Sequence, residues 1–211
     1  AVDTSQMPLL SINVPLGLQF GSNPGSIVNR SAVTDGSGNA VGLQVDAGKT
    51  LALSGGEIIV EDGNLTASGG KVKLGSVGEN GTVNLDKDWN FNYQKVEDFR
   101  DILVERAAII KTDGESGGEV ELIGRDITIT GNSQLLSQTQ GDIDGGNIFV
   151  KGNSILLDGD NAVSINVLKG KGNAGSIQFE AENLITTRGQ NRISSHTSDT
   201  GNGGKIIFTA N

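Results

Sequence analysis

The chain has 211 residues, of which 32 are Gly and only 3 Pro; aromatics make up 4% and the formal net charge is −9. Gly at about twice its average share, without matching Pro or a Gly-x-y period, excludes a collagen helix. The acidic balance and scattered Lys and Arg exclude nucleic acid as a partner. No apolar run approaches the roughly 20 residues that span a bilayer, so no membrane insertion is expected. The absence of Cys excludes disulfides and thiolate metal sites.

In chain order, residues 1–40 read as N-terminal strands and a cap, with Leu9 to Val14, carrying Leu9, Leu10, Ile12 and Val14, as a strand-like segment. No basic-then-apolar signal segment stands at Ala1, which predicts a processed chain or an internal portion of a longer one. Residues 41–74 read as early coils. Strands are expected at 41–45 and 50–53, then after Gly55-Gly56 (Ile58, Val60) and after Gly69-Gly70 (Val72, Leu74). Residues 75–116 are irregular and hold the only Trp and Tyr, in Trp89-Asn90-Phe91-Asn92-Tyr93. The stretch from Val96 to Arg106 fits a loop and strand better than a short helix.

Residues 117–211 repeat. Gly118, Gly146, Gly175 and Gly204 are spaced by 28, 29 and 29 residues. Two and four residues after each comes an apolar pair: Val120 and Leu122, Ile148 and Val150, Ile177 and Phe179, Ile206 and Phe208. That alternation is a strand with one buried face, so Glu121, Phe149, Gln178 and Ile207 should point outward. A second strand is expected at Ile127 and Ile129, Ile155 and Leu157, Leu184 and Thr186. A second corner follows at Gly131-Asn132, Gly159-Asp160 and Gly189-Gln190. A third apolar stretch lies at Leu135-Leu136, Val163–Ile165 and Ile193. Three short strands per unit of about 28–29 residues, with Gly at the corners for its freedom to take positive φ, predict a single all-β domain over residues 1–211, a parallel β-helix.

Several segments also resemble a known family. Val14-Pro15-Leu16-Gly17-Leu18-Gln19-Phe20-Gly21 with Asn23-Pro24-Gly25, Val41–Val45 through Leu53, Gly63–Ala67, Gly75-Ser76-Val77, Val96–Ile102 and Gly201–Gly204 are similar to cyanobacterial filamentous-haemagglutinin-like exoproteins of the two-partner secretion type. The resemblance covers nearly the whole chain. It implies a right-handed β-helix exported through an outer-membrane partner and displayed or released outside the cell. The secretion domain that normally precedes such a region is not seen in the sequence.

The candidate sites are few. His196 lies in Ser194-Ser195-His196-Thr197-Ser198-Asp199, an ordinary polar loop with no nucleophile elbow. Asp142 with Asp144, and Asp158 with Asp160, are the carboxylate pairs a glycosidase would need, yet all four occupy Gly- and Asn-rich corners where Asp forms turns. No catalytic residue is therefore expected, and the chain reads as non-enzymatic. Calcium is the one cofactor the sequence admits, through Asp86, Asp88 and Asn90 or through Asp142, Asp144 and Asn147, which place oxygen side chains at alternate positions. Neither completes a known loop. Trp89, Phe91 and Tyr93 are candidate contacts for a cell-surface or matrix glycan.

The chain stops at the first strand of a coil. This predicts continuation in a longer protein or head-to-tail self-association, with Ile206, Ile207 and Phe208 meeting Leu9, Leu10, Ile12 and Val14 by strand addition. A structural or adhesive extracellular stalk or fibre subunit is the expected function. A carbohydrate-binding or polysaccharide-degrading module is the alternative.

Overall fold

A computed structural model describes residues 17–86 and 90–211. Every regular element among them is a strand. In chain order these are β1 (Gly17–Gln19), β2 (Ile27–Asn29), β3 (Leu43–Gln44), β4 (Thr50–Gly55), β5 (Ile58–Glu61), β6 (Asn64–Thr66) and β7 (Lys71–Ser76). Then come β8 (Thr82–Leu85), β9 (Phe91–Asn92), β10 (Ile102–Glu105), β11 (Ile109–Lys111), β12 (Glu119–Ile123), β13 (Asp126–Thr130) and β14 (Gln134–Thr139). The last five are β15 (Ile148–Asp158), β16 (Ala162–Val167), β17 (Ile177–Arg188), β18 (Arg192–Thr197) and β19 (Ile206–Ala210).

Sixteen of these strands form three parallel ladders. The first runs β4-β7-β12-β15-β17-β19. The second runs β2-β5-β10-β13-β15-β17, and the third β3-β6-β11-β14-β16-β18. The long strands β15 and β17 serve the first ladder with their N-terminal halves and the second with their C-terminal halves. This merges those two ladders into one sheet. From β2 onward the chain visits the second, third and first ladders in turn, departing from that order only for β8 and β9.

The register follows the repeat. Val120 pairs with Ile148, Ile148 with Ile177 and Ile177 with Ile206, while Leu122, Val150, Phe179 and Phe208 align one pleat on. Side chains of like shape therefore stack, and the aliphatic residues of all three ladders form one continuous buried cluster. The apolar pairs of β12, β15 and β17 are fully buried, whereas Ile206 and Phe208 of β19, expected to face inward, remain 43% and 47% exposed. No later strand lies over them among the described residues. Of the outward set, Ile207 is exposed and Phe149 half-buried.

Two expectations are corrected. Leu184 and Thr186 do not form the buried face of the second strand in β17. The register between β15 and β17 slips between Gly152 and Ser154, so that Ile155 aligns with Ile185, and Leu184 is 58% exposed. One extra residue in a strand turns every following side chain to the opposite face, and the bulge cannot be seen in a Gly-poor stretch such as Glu182-Asn183.

The second correction concerns the corner glycines. Gly131, Gly159 and Gly189 have positive φ as expected, at 66°, 110° and 78°. The anchors Gly118, Gly146, Gly175 and Gly204 do not. A Cβ on Gly146 would overlap the carbonyl oxygen of Gly118, one on Gly175 that of Gly146, and one on Gly204 that of Gly175. Glycine is required there by close approach of backbone to backbone, not by backbone conformation.

The corners also carry polar stacks. Asn161 is buried; its amide donates to the carbonyls of Ile129 (3.0 Å) and Asp158 (3.1 Å) and to Oδ1 of Asn191 (2.8 Å), and its own Oδ1 accepts from the Ser133 N–H. These bonds satisfy corner groups that the ladders leave unpaired, as buried polar groups require.

Candidate functional site

Between β7 and β10 the chain leaves the ladders. β8 pairs antiparallel with β1, Leu18 opposite Val83, and with β9, Leu85 opposite Phe91. The segment then turns back across the outer face of the first ladder. Val77, Val83 and Val96 are buried in a second cluster, separate from the main core, with Phe20, Phe91, Tyr93 and Phe99 packed against it. Phe91 and Tyr93 lie nearly parallel with centroids 6.4 Å apart, and Tyr93 meets Phe99 at 6.3 Å.

The Tyr93 ring occupies the place where a side chain on Gly75 of β7 would stand. Burial, reinforced by the negative charge of Glu121, pushes its phenol well above the usual range, so the hydroxyl keeps its proton. Gly78 carries the same logic one step on. It donates its N–H to the Asp98 carbonyl at 2.7 Å, and a Cβ there would overlap Asp98.

Between this excursion and the ladder lies a groove of about 440 Å³. Phe91, Tyr93, Gln94 and Phe99 form one wall; Glu121, Ile123 and Lys151 form the other. The charges are paired along the ladder: Lys73 reaches Glu121 at 3.4 Å, and Lys151 forms an ion pair with Glu180. A smaller pocket continues past Phe99, Ile123 and Lys151 toward Gly152 and Glu182.

The structure thus brings Phe91 and Tyr93 together, and adds Phe99, which sequence reading missed. Its only signal was spacing: Phe91, Tyr93 and Phe99 are the aromatics that follow the break in the repeat. Trp89 lies outside the described residues, as do Asp88 and the segment Leu9, Leu10, Ile12 and Val14.

The oxygen-rich corners have work of their own. The Asp86 carboxylate accepts from the Asn90 N–H at 2.9 Å and from its amide at 2.8 Å, closing the β8–β9 turn. Asp142 accepts the Lys171 N–H (3.1 Å), Asp144 the Asn173 N–H (2.8 Å), and Asn147 the Ser176 N–H (2.8 Å). Asn173 in turn accepts from Asn202 at 3.0 Å. Each oxygen thereby fastens the corner one repeat later. Among the described residues no group of three or more His, Asp or Glu is gathered as metal ligands are. His196 is exposed on β18, and the Ser195 hydroxyl donates to the Gly175 carbonyl at 2.6 Å. Asp160 accepts the Gln190 N–H at 3.2 Å.

A further acidic position stands at Asp113. Burial raises its carboxyl above the ordinary range; the Gln138 N–H, donating at 2.8 Å, and Lys111 oppose that shift.

Among the described residues the fold is an all-β stack of parallel ladders with an antiparallel hairpin laid against them. The family model of the TPS secretion domain matches residues 1–122, more than half of the chain, and the chain belongs to that family. No curated protein and no solved structure matches it. The secretion domain not seen in the sequence is therefore present, and the match overturns that reading. It takes in β1 to β11 and most of β12, the excursion included. Family membership makes this a secreted two-partner exoprotein that passes the outer membrane with a transporter partner, in a family of secreted exoproteins rather than of enzymes.

Proposed function

We propose that the chain is a non-enzymatic extracellular exoprotein of the filamentous-haemagglutinin-like, cyanobacterial type, and that its three ladders wind as a right-handed parallel β-helix serving as an adhesive or structural shaft. One observation carries this reading: the matched region runs into the repeat without a break. β7 lies inside it, β12 straddles its end, and β15 lies beyond it, all three in one ladder with continuous register. The domain recognised for export is thus also the first stretch of the shaft, and each later coil adds to a template already formed.

Export is tested by producing the 211-residue chain behind a signal segment in a host with an outer membrane, with and without the partner transporter. Appearance in the medium or at the surface only with the transporter is the expected result; equal release in its absence would sink the proposal. A crystal structure reads the handedness directly.

The exposed Ile206 and Phe208 support a further element, extension at this end. A second copy added head to tail would cover that face by strand addition. Negative-stain microscopy tests this element: filaments of the isolated chain are expected, and short single rods alone would overturn it.

A further inference from the structure

We infer that the groove between the excursion and the first ladder is a binding site for a neutral polysaccharide or oligosaccharide. Its construction narrows the ligand class by elimination. β12, which carries Glu121 and Ile123, is hydrogen-bonded on both edges, to β7 and to β15. Its backbone N–H and C=O groups are spent in the ladder, so an extended peptide cannot add to it as a strand. Recognition at this wall must come from side chains.

Those side chains do not select charge. Glu121 is paired with Lys73 and Lys151 with Glu180, so each wall charge is already answered along the ladder. A polyanion would meet Glu121 without a surplus of cations, and a cationic ligand would have to displace Lys73. What remains is a set of aromatic rings beside hydrogen-bonding groups. Phe91, Tyr93 and Phe99 offer ring surface for the apolar C–H faces of a pyranose. Gln94, Glu121 and Lys151 offer donors and acceptors for its hydroxyls. Both chemistries occur together on a sugar that carries no charge.

The volume fits a short stretch of such a chain, since small-molecule sites run from about 300 to 1,000 Å³. The groove is also built in, not incidental. Tyr93 is held by the space that Gly75 leaves, and Phe99 stands against Tyr93. The aromatic wall is thereby preorganised and loses little freedom on binding.

Affinity electrophoresis of the whole chain tests this inference. Native gels would contain hydroxyethylcellulose, dextran or laminarin as neutral polymers, or alginate as an acidic one. Retardation by at least one neutral polymer is expected, weakened tenfold or more by Phe99→Ala and about threefold by Gln94→Ala. Gln94 is exposed, so its variant reports on binding even if loss of Phe99 disturbs the excursion. Asp35→Ala, which lies beside Gln44 of β3 and Thr66 of β6 and outside the groove lining, should leave retardation unchanged. No retardation by any neutral polymer, retardation by alginate alone, or equal retardation of both groove variants would overturn the inference. Secretion of the same chain is read separately, so failure here does not touch the export reading.

Discussion

The shaft and the excursion bury apolar surface by opposite means. In the shaft, Ile, Leu and Val recur at fixed steps and stack on their own counterparts, giving one core that extends with every coil. Where the excursion meets the chain after β1, three valines and four aromatics meet once, in a cluster that has no counterpart among the described residues. Repetition produces length and stiffness, because each layer only has to fit a copy of itself. A single departure from it produces a concave surface of particular chemistry.

The sharpest way to break the shaft is to open a hole in its core. Phe179 is fully buried and stacks on Phe208 at 4.9 Å. Phe179→Ala should cost about 4 kcal/mol, measured by urea denaturation, and should loosen the C-terminal coils first because stability in a stacked protein is passed between neighbours. The groove, lined by β9, β12 and the start of β15, should persist at low denaturant.

The converse experiment breaks the excursion and spares the shaft. Gly75→Val places a side chain where the Tyr93 ring lies and should displace it, at a cost of about 2 kcal/mol. Tyr93 is the only Tyr, so its ultraviolet titration reports directly. In the native chain the phenol should ionise only well above its ordinary value of 10.0, since burial and Glu121 both disfavour the anion. In Gly75→Val the titration should return toward that value. An unchanged titration would show that the ring does not depend on this gap.

The smallest effect sharpens the comparison by charge. Burial raises the Asp113 carboxyl above its usual 3.8, so the folded state holds that proton more tightly than the unfolded state does. The resulting penalty is fully present above the raised folded value and disappears as pH falls below 3.8. Asp113→Asn removes the charge and keeps an oxygen for the Gln138 N–H. It should therefore stabilise the chain at neutral pH by less than about 1 kcal/mol, with the gain vanishing in acid; a thermal melt series across pH checks this.

Much of the shaft was legible because its grammar is local. Gly118, Gly146, Gly175 and Gly204 announce the period, and the apolar pairs after them set strand, face and register together. Leu184 shows where that grammar fails: one bulge residue reverses the face, and nothing in the residue types marks it. The excursion was legible only as an interruption, since a cluster used once leaves no pattern for comparison.

By itself the sequence determined an all-β repeat, its period of 28 to 29 residues, the buried pairs of β12, β15 and the start of β17, and the corners at Gly131, Gly159 and Gly189, because a two-residue side-chain alternation and a positive φ are properties of short segments. Only the tertiary structure decided that the anchor glycines serve backbone contact, that Tyr93 fills the space above Gly75, and that Phe99 completes a groove with Glu121 and Lys151. Those pairs lie 18, 22 and 52 residues apart in the chain, and which of them meet is set by how the coils stack, not by any residue's own preference.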